Sequence, residues 1–487
     1  MMRPKAALVA ALMLGGCAPD VALNRPQLAL PAQYEAQPPQ HGPDRPTDRW
    51  WELFDDAQLA ALVEQALADS TDIRSAYFRL IEARAIRDQA RTQRLPTGAF
   101  GGNAARQDGE PLSGTDLPGS TTRTDSLGAT FSASWEIDLF GRLAAVGRAA
   151  DADYAAAAFD YHAVRQSMAA DVATALFQAR GFAVQLNDAR ESLRIATTLA
   201  ATARLALERG LVATGNAARL EGNEASARAE VRRLEAALRN AKRSLLILAG
   251  RMDAPTDSLI IDARQDVPPP VPPAMPAMLL ARRPDVRAAE ARLLAATAQL
   301  DVGRLALFPR FTLSGSGSIS RTETLGVDGT AGLWSLAAGL ALPVLDRARL
   351  IAQLRASEAR GQRAVVAYEA AVQSAFRDAD IALATVASDG PRLDDLVQAE
   401  ARAAYAFAAA RRAYGAGLTD LTGLLQQEQT WRDARSAMTG ARTLALINQV
   451  TAFRALGGGW DGAAPGTAEG QPDLPRPSPL STPEDRK

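Results

Sequence analysis

Two stretches of this sequence are too long and too evenly helical to fit inside a compact globule. Arg142 to Gly210 contains no proline, and Arg347 to Gly417, of nearly the same length, has Pro391 as its single interruption. At about 1.5 Å per residue, either would extend roughly 100 Å as one helix. Their apolar positions form seams for coiling: Ala179, Phe182, Leu186, Ala189, Leu193 and Ala196 step by threes and fours, as do Tyr368, Val372, Ala375, Ala379, Ala382 and Val386. The alanines at these seams permit close helix approach. Seams alone fit a soluble coiled-coil bundle as well as any other long helical assembly.

The two stretches belong to an internal repeat of long period. Asp72-Ile73-Arg74 opens a helix that reaches Pro96, and Asp285-Val286-Arg287 opens one that reaches Pro309, an identical interval in the two halves. Ala76/Ala289, Arg79/Arg292, Leu80/Leu293, Ala83/Ala296 and Arg91/Arg304 coincide in that register. Farther on, Gly210-Leu211 stands as far before the helix-ending Gly250 as Gly417-Leu418 does before Gly457, with Glu221/Glu428 and Arg228/Arg435 matching between them. Each unit reads helix, β-hairpin, very long helix, tight turn, returning helix.

The hairpins alternate like a wall with lipid on one side and water on the other. Phe131, Ala133, Trp135, Ile137 and Leu139 share one face, opposite Thr130, Ser132, Ser134, Glu136 and Asp138. Phe311, Leu313 and Ile319 alternate with Thr312, Ser314, Ser316, Ser318 and Ser320, and the partner strand lines up Trp334, Leu336, Ala338, Leu340 and Leu342. Strands of about ten residues with an apolar outside suit an outer-membrane barrel, although a half-buried soluble hairpin alternates in the same way. The polar connections from Arg106 to Arg123 and from Arg321 to Gly332 favour the barrel, as its extracellular loops. Four strands per chain cannot close a membrane barrel, which begins at about eight and cannot leave an open edge in lipid. A symmetric oligomer must complete it, and strand counting does not choose between two chains and three.

The N-terminus sets the compartment. Arg3 and Lys5 precede a short apolar run, Ala6 to Gly16, and Leu14-Gly15-Gly16-Cys17 closes it with small residues before a cysteine. This reads as a lipoprotein signal peptide, too short for a spanning helix, with the competing reading an ordinary cleaved signal. Cys17 is the single cysteine, which excludes an internal disulfide and leaves it to carry lipid. Ala18 stands where retention-type lipoproteins have Asp, which by analogy points to the outer membrane. The domain boundaries follow: signal peptide 1–16, extended arm 17–54, first repeat 55–250 with strands at about 98–107 and 127–139, proline-rich linker 251–276, second repeat 277–457 with strands at about 310–321 and 332–344, and disordered tail 458–487.

Other function classes find little support. A net charge of -1 provides no basic field for nucleic acid. His41 and His162 have no partner at metal spacing; no Gly-x-Ser-x-Gly elbow precedes a helix; and Gly457-Gly458-Gly459 ends a helix and has no following Lys, unlike a phosphate loop. The expectation is a non-enzyme with no metal and no cofactor beyond a covalent lipid on Cys17.

Several motifs, in order, resemble the TolC/OprM-like outer-membrane efflux factors, in particular the NodT-type lipoprotein branch: Trp50-Trp51-Glu52-Leu53-Phe54-Asp55-Asp56, Ser134-Trp135-Glu136-Ile137-Asp138-Leu139-Phe140-Gly141-Arg142, Arg282-Arg283-Pro284-Asp285-Val286, Tyr414-Gly415-Ala416-Gly417-Leu418 and Leu456-Gly457-Gly458-Gly459-Trp460. The resemblance implies a mainly α protein with a transmembrane β-barrel portion. As a homotrimer, four strands per chain would close a 12-stranded barrel above an α-helical tunnel. It also implies passive conduction of small molecules or drugs, with a periplasmic adaptor and an inner-membrane pump of the resistance-nodulation-division class as partners. Type I secretion and a non-channel structural coiled-coil lipoprotein are the alternatives. Trp135, Asp138, Gly141 and Arg142 form the barrel-strand motif, and Gly210, Leu211, Gly417, Leu418, Thr419 and Asp420 are aperture candidates. Thr419 stands where related channels often have Asp, and a one-residue shift turns a helical side chain by about 100°. Asp420 is therefore read either as part of a lumen-facing acidic ring or as a helix cap.

Overall fold

The computed structural model describes residues 30–36, 48–109, 122–271, 276, 282–324 and 327–460. After a 3-10 turn over Trp50–Phe54 come α1 (Ala57–Asp69), α2 (Thr71–Thr92), β1 (Thr97–Gly109), β2 (Thr122–Ile137), α3 (Arg142–Glu208) and α4 (Thr214–Leu248). The second half supplies α5 (Pro284–Leu305), β3 (Arg310–Thr324), β4 (Val327–Ala341), α6 (Arg347–Gly415) and α7 (Leu421–Ala455). α6 runs without a break through Pro391. Gly390 just before it has no Cβ to clash with the proline ring, which is the contact that ordinarily expels the preceding residue from helix.

The repeat recurs as geometry. The returning helices α4 and α7 end on Gly250 and Gly457, at φ +73° and +80°, with Arg251 N–H reaching Leu246 O and Gly458 N–H reaching Phe453 O in the same six-to-one closure. A Cβ on Gly250 would stand 2.9 Å from Asp69, and one on Gly457 2.9 Å from the Arg282 carbonyl. Asp69 and Arg282 each lie just before an Asp-Ile/Val-Arg triplet, at the same offset, so both halves close on the same contact.

The described residues form two compact units. In the first (81–156 and 289–368), the strands make one antiparallel sheet in the order β1-β2-β3-β4. In the same unit Leu300, Leu307 and Leu354 pack with Leu350 and Ile351. Two sequence expectations are corrected here. β2 ends at Ile137, so Asp138 and Leu139 lie in the turn after it. The stretch from Arg321 to Gly332 is not a loop: Arg321↔Thr330, Thr322↔Gly329, Glu323↔Asp328 and Thr324↔Val327 are paired, leaving only 325–326 between the strands. Likewise Arg106↔Asp125 and Asp108↔Arg123 extend the first hairpin, whose connection shrinks to 110–121, outside the described residues. Ladder bonds need backbone, not apolar side chains, and cross-strand ion pairs hold these polar ends in register.

The second unit comprises the described parts of 27–80, 157–288 and 369–460. Its core is aromatic: Trp50 stacks on Phe453 at 5.6 Å, and Phe54 meets Phe177 at 5.1 Å, each buried side chain contributing about 1.5–3 kcal/mol. Here the expected boundaries shift. Trp50, Trp51 and Phe54, from the arm's last residues, are core. The expected tail likewise begins inside the fold, since Trp460 is buried, donates to Arg282 O at 2.6 Å and packs on Phe159 and His162, while Gly458 O accepts from Gln166 at 2.7 Å. The described part of the expected linker 251–276, residues 251–271, is also tied down: Gln265 donates to Thr439 O and Thr443 Oγ1 at 2.8 Å each, and Val271 is buried. Cys17 and residues 461–487 lie outside the described residues.

Candidate channel surface and aperture

Cross-strand partners in an antiparallel sheet point to the same side, so the register sorts every strand residue onto one of two faces. One face carries the rows Ile137/Phe311/Leu340, Trp135/Leu313/Ala338, Ala133/Gly315/Leu336, Phe131/Gly317/Trp334, Ala129/Ile319/Gly332 and Leu127/Arg321/Thr330. Phe100 joins the Phe131 row from β1, and Trp334 is 80% exposed. From the Ile137 row to the Leu127 row is about ten residues, which at about 3.3 Å each and a tilt near 40° makes an apolar band about 25 Å tall, the height of a barrel's lipid belt. At the turn end of this same face sit Arg106, Asp108, Arg123, Asp125, Arg321, Glu323 and Asp328, with Arg106 on Asp125 and Arg321 on Asp328 at 2.6 Å.

The other face is polar and almost free of charge. Its rows include Ser134/Ser314/Ala337, Ser132/Ser316/Ser335, Thr130/Ser318/Leu333 and Gly128/Ser320/Ala331, with Ser316 and Ser335 hydroxyls 2.9 Å apart. On the described strands, ionisable side chains return to this face only where the strands meet the helices, at Glu136 and Arg310.

The Trp135, Asp138, Gly141 and Arg142 motif builds that junction. Trp135 Nε1 donates to Arg94 O at 2.8 Å. Gly141 takes φ +81°, turning the chain into α3. Asp138 Oδ2 accepts from Ala144 N–H at 2.7 Å, satisfying an orphan donor of the first turn of α3. Arg142 forks onto Glu136 at 2.8 and 2.9 Å, a geometry that fixes direction as well as distance. Phe140 packs on Phe308 at 5.1 Å. The sequence motif marked the junction; it gave no sign of the Arg94 carbonyl or of Arg310, though strand parity counted back from Thr312 would have placed the latter.

The aperture candidates occupy the two turns that end the long helices. Gly210 (φ +70°) closes α3 with Leu211 N–H on Ala206 O, and Gly417 (φ +72°) closes α6 with Leu418 N–H on Ala413 O, both at 2.9 Å. Leu211 and Leu418 project into solvent, 74% and 81% exposed. Asp420 is the N-cap of α7 and its carboxylate accepts from Gly423 N–H at 2.9 Å. Thr419 Oγ1 lies 3.0 Å from where a Gly423 Cβ would stand. α3, α4 and α7 are pinned together just behind the turns, where Ala200, Ala203, Ala217 and Leu220 bury against Leu421 and Leu425. Farther along α7, Glu428 is buried, and burial pushes its carboxyl above the ordinary range while Arg432 opposes this.

Among the described residues no helix is long and apolar enough to cross a membrane. A family model described as "Outer membrane efflux protein" matches residues 62–251 and 275–458. The chain is 30% identical over 448 residues to the pyoverdine export outer membrane protein OpmQ of Pseudomonas putida, covering 90% of this chain and 94% of that one. It is 32% identical to the outer membrane protein OprJ of Pseudomonas aeruginosa, covering 93% and 95%. Its fold matches the solved outer-membrane channel OprN with a TM-score of 0.79 at 28% identity, over 91% of this chain and 100% of that one.

Proposed function

The chain belongs to the outer membrane efflux protein family, and from that premise we infer how its parts work. It is the outer-membrane exit channel of a tripartite efflux pump, a trimer in which twelve strands close one barrel and the helices form the tunnel. The sheet carries this reading: it is polar on one face, apolar over a membrane's height on the other, and open at both edges, β1 and β4. An open edge is untenable in lipid, and copies joined edge to edge remove it. The protein supplies a passage, and its adaptor and inner-membrane partners supply energy and cargo choice.

The finer assignments are proposals. Cys17 carries lipid, supported by the signal-peptide pattern before it. A pump of the resistance-nodulation-division class is the inner-membrane partner. The turns at Gly210-Leu211 and Gly417-Leu418 frame the periplasmic aperture, with the exposed leucines supplying its apolar constriction and Asp420 serving first as the cap of α7. The test is the mass and bilayer conductance of the detergent-purified protein. We expect a trimer that conducts, with Asp420→Asn, which preserves the cap and removes the charge, retaining its thermal stability. A water-soluble monomer that never conducts would sink the duct and leave a lipid-tethered helical scaffold.

A further inference from the structure

The charges of the described strands are sorted by face. Seven ionisable side chains (Arg106, Asp108, Arg123, Asp125, Arg321, Glu323 and Asp328) point to the apolar side beyond its belt, whereas the polar face has only Glu136 and Arg310, both at the helix end of the sheet. Asp138 lies just past Glu136, with Arg142 beyond it. Three of these four junction charges are accounted for within the junction. Glu136 is held by the Arg142 fork, and Asp138 is committed to the Ala144 N–H at the start of α3, where the helix dipole also favours it. The Arg310 side chain has no hydrogen bond or ion pair among the described residues, is exposed, and stands two positions before Thr312 on the same polar face.

We propose that Arg310 is the charge-selecting residue of the barrel, placing three guanidinium groups around its helix-side mouth and favouring anionic small molecules over cationic ones. The inference rests on the duct reading, because only a closed trimer makes the polar face a lumen. Rings of like charge set selectivity through the potential they impose on the pore. Glu136, in the neighbouring row of the same face, is neutralised by Arg142, and the other lumen rows hold hydroxyls, amides, glycine and small or apolar side chains, so the charge left unpaired on this face of the described strands is that of Arg310. In a wide barrel the effect is strongest when the screening length is long, about 30 Å at 0.01 M salt, and fades near 1 M, where it is about 3 Å.

The experiment uses the full-length trimer with a reporter thiol at Thr312→Cys, one lumen row from Arg310, and a second at Ser314→Cys in case the first fails to assemble. Sulfonate-bearing and trimethylammonium-bearing methanethiosulfonates are added from the barrel side, with the unsubstituted protein as the blank for Cys17. The quantity read is the ratio of anionic to cationic labelling rates. Arg310→Gln should lower that ratio by about threefold or more at about 0.01 M salt and change it little near 1 M. Arg310→Lys should preserve the ratio, and Arg321→Gln, on the lipid side, should leave it unchanged. A thiol that reacts freely but with a ratio indifferent to Arg310 overturns the inference alone. A thiol at either position that neither reagent reaches means there is no water-filled lumen, and the duct reading falls with it.

Discussion

At the residue scale, the second unit buries an ion cluster. Arg180 is 2% exposed; it pairs with Asp56, which also caps α1 through the Gln58 and Leu59 N–H groups, reaches Asp266 at 3.2 Å and donates to Gln58 Oε1 at 2.9 Å. Arg264 adds a second cation 3.1 Å from Asp56. Burial works against the charged carboxylate, but Arg180, the Leu59 N–H and Arg264 outweigh it and hold Asp56 below the usual carboxylate range. A depressed value means that stabilisation is present above the unfolded pKa, near 4, and is lost as pH falls through the folded one. Asp56→Asn strands Arg180 with the half-exposed Asp266 and should cost about 3 kcal/mol. Urea unfolding followed from about pH 7 down to about pH 3 checks both points: the variant starts less stable and loses less on acidification. None of this cluster was legible in advance, because its members lie far apart in the chain and a sequence pattern reports neighbours only along a helix or strand. Asp56 ended a recognisable motif, yet its partner Arg180 sits unmarked in the middle of α3.

At the scale of elements, period was the reliable signal and boundary the poor one. The lengths of α3 and α6, the glycine turns and the two-faced strands all follow from spacing in the sequence. The ends of β2, β3 and β4 do not, because Thr-, Gly- and Asp-rich residues pair as readily as they loop once a partner strand is in register. The face assignment makes a direct prediction. Leu336 lies within the apolar band, in the row of Ala133 and Gly315, so Leu336→Arg should destabilise the barrel by about 2–4 kcal/mol per chain. Its neighbour on the opposite face, Ser335→Arg, should be tolerated. The temperature at which the trimer dissociates in detergent separates the two, and a reversal of the order would mean the faces are exchanged.

For the whole molecule, the sequence stated that one chain is incomplete before any coordinates did, since four strands with lipid-facing side chains cannot be a finished barrel. It could not state the number of copies, which strand counting leaves open between two and three and the family resemblance sets at three. Nor could it see that the chain past Gly457 returns to the core through Trp460, because a glycine run before a polar tail reads as an ending. The two open edges of the sheet also have a genetic consequence. Each ring draws its copies from one pool, so a cell making equal amounts of sound and edge-defective chains assembles about one ring in eight from sound copies alone, by random draw into a closed trimer. An allele that folds but cannot close should therefore be dominant, and one that fails to fold at all recessive. Drug susceptibility of strains carrying both copies would distinguish them.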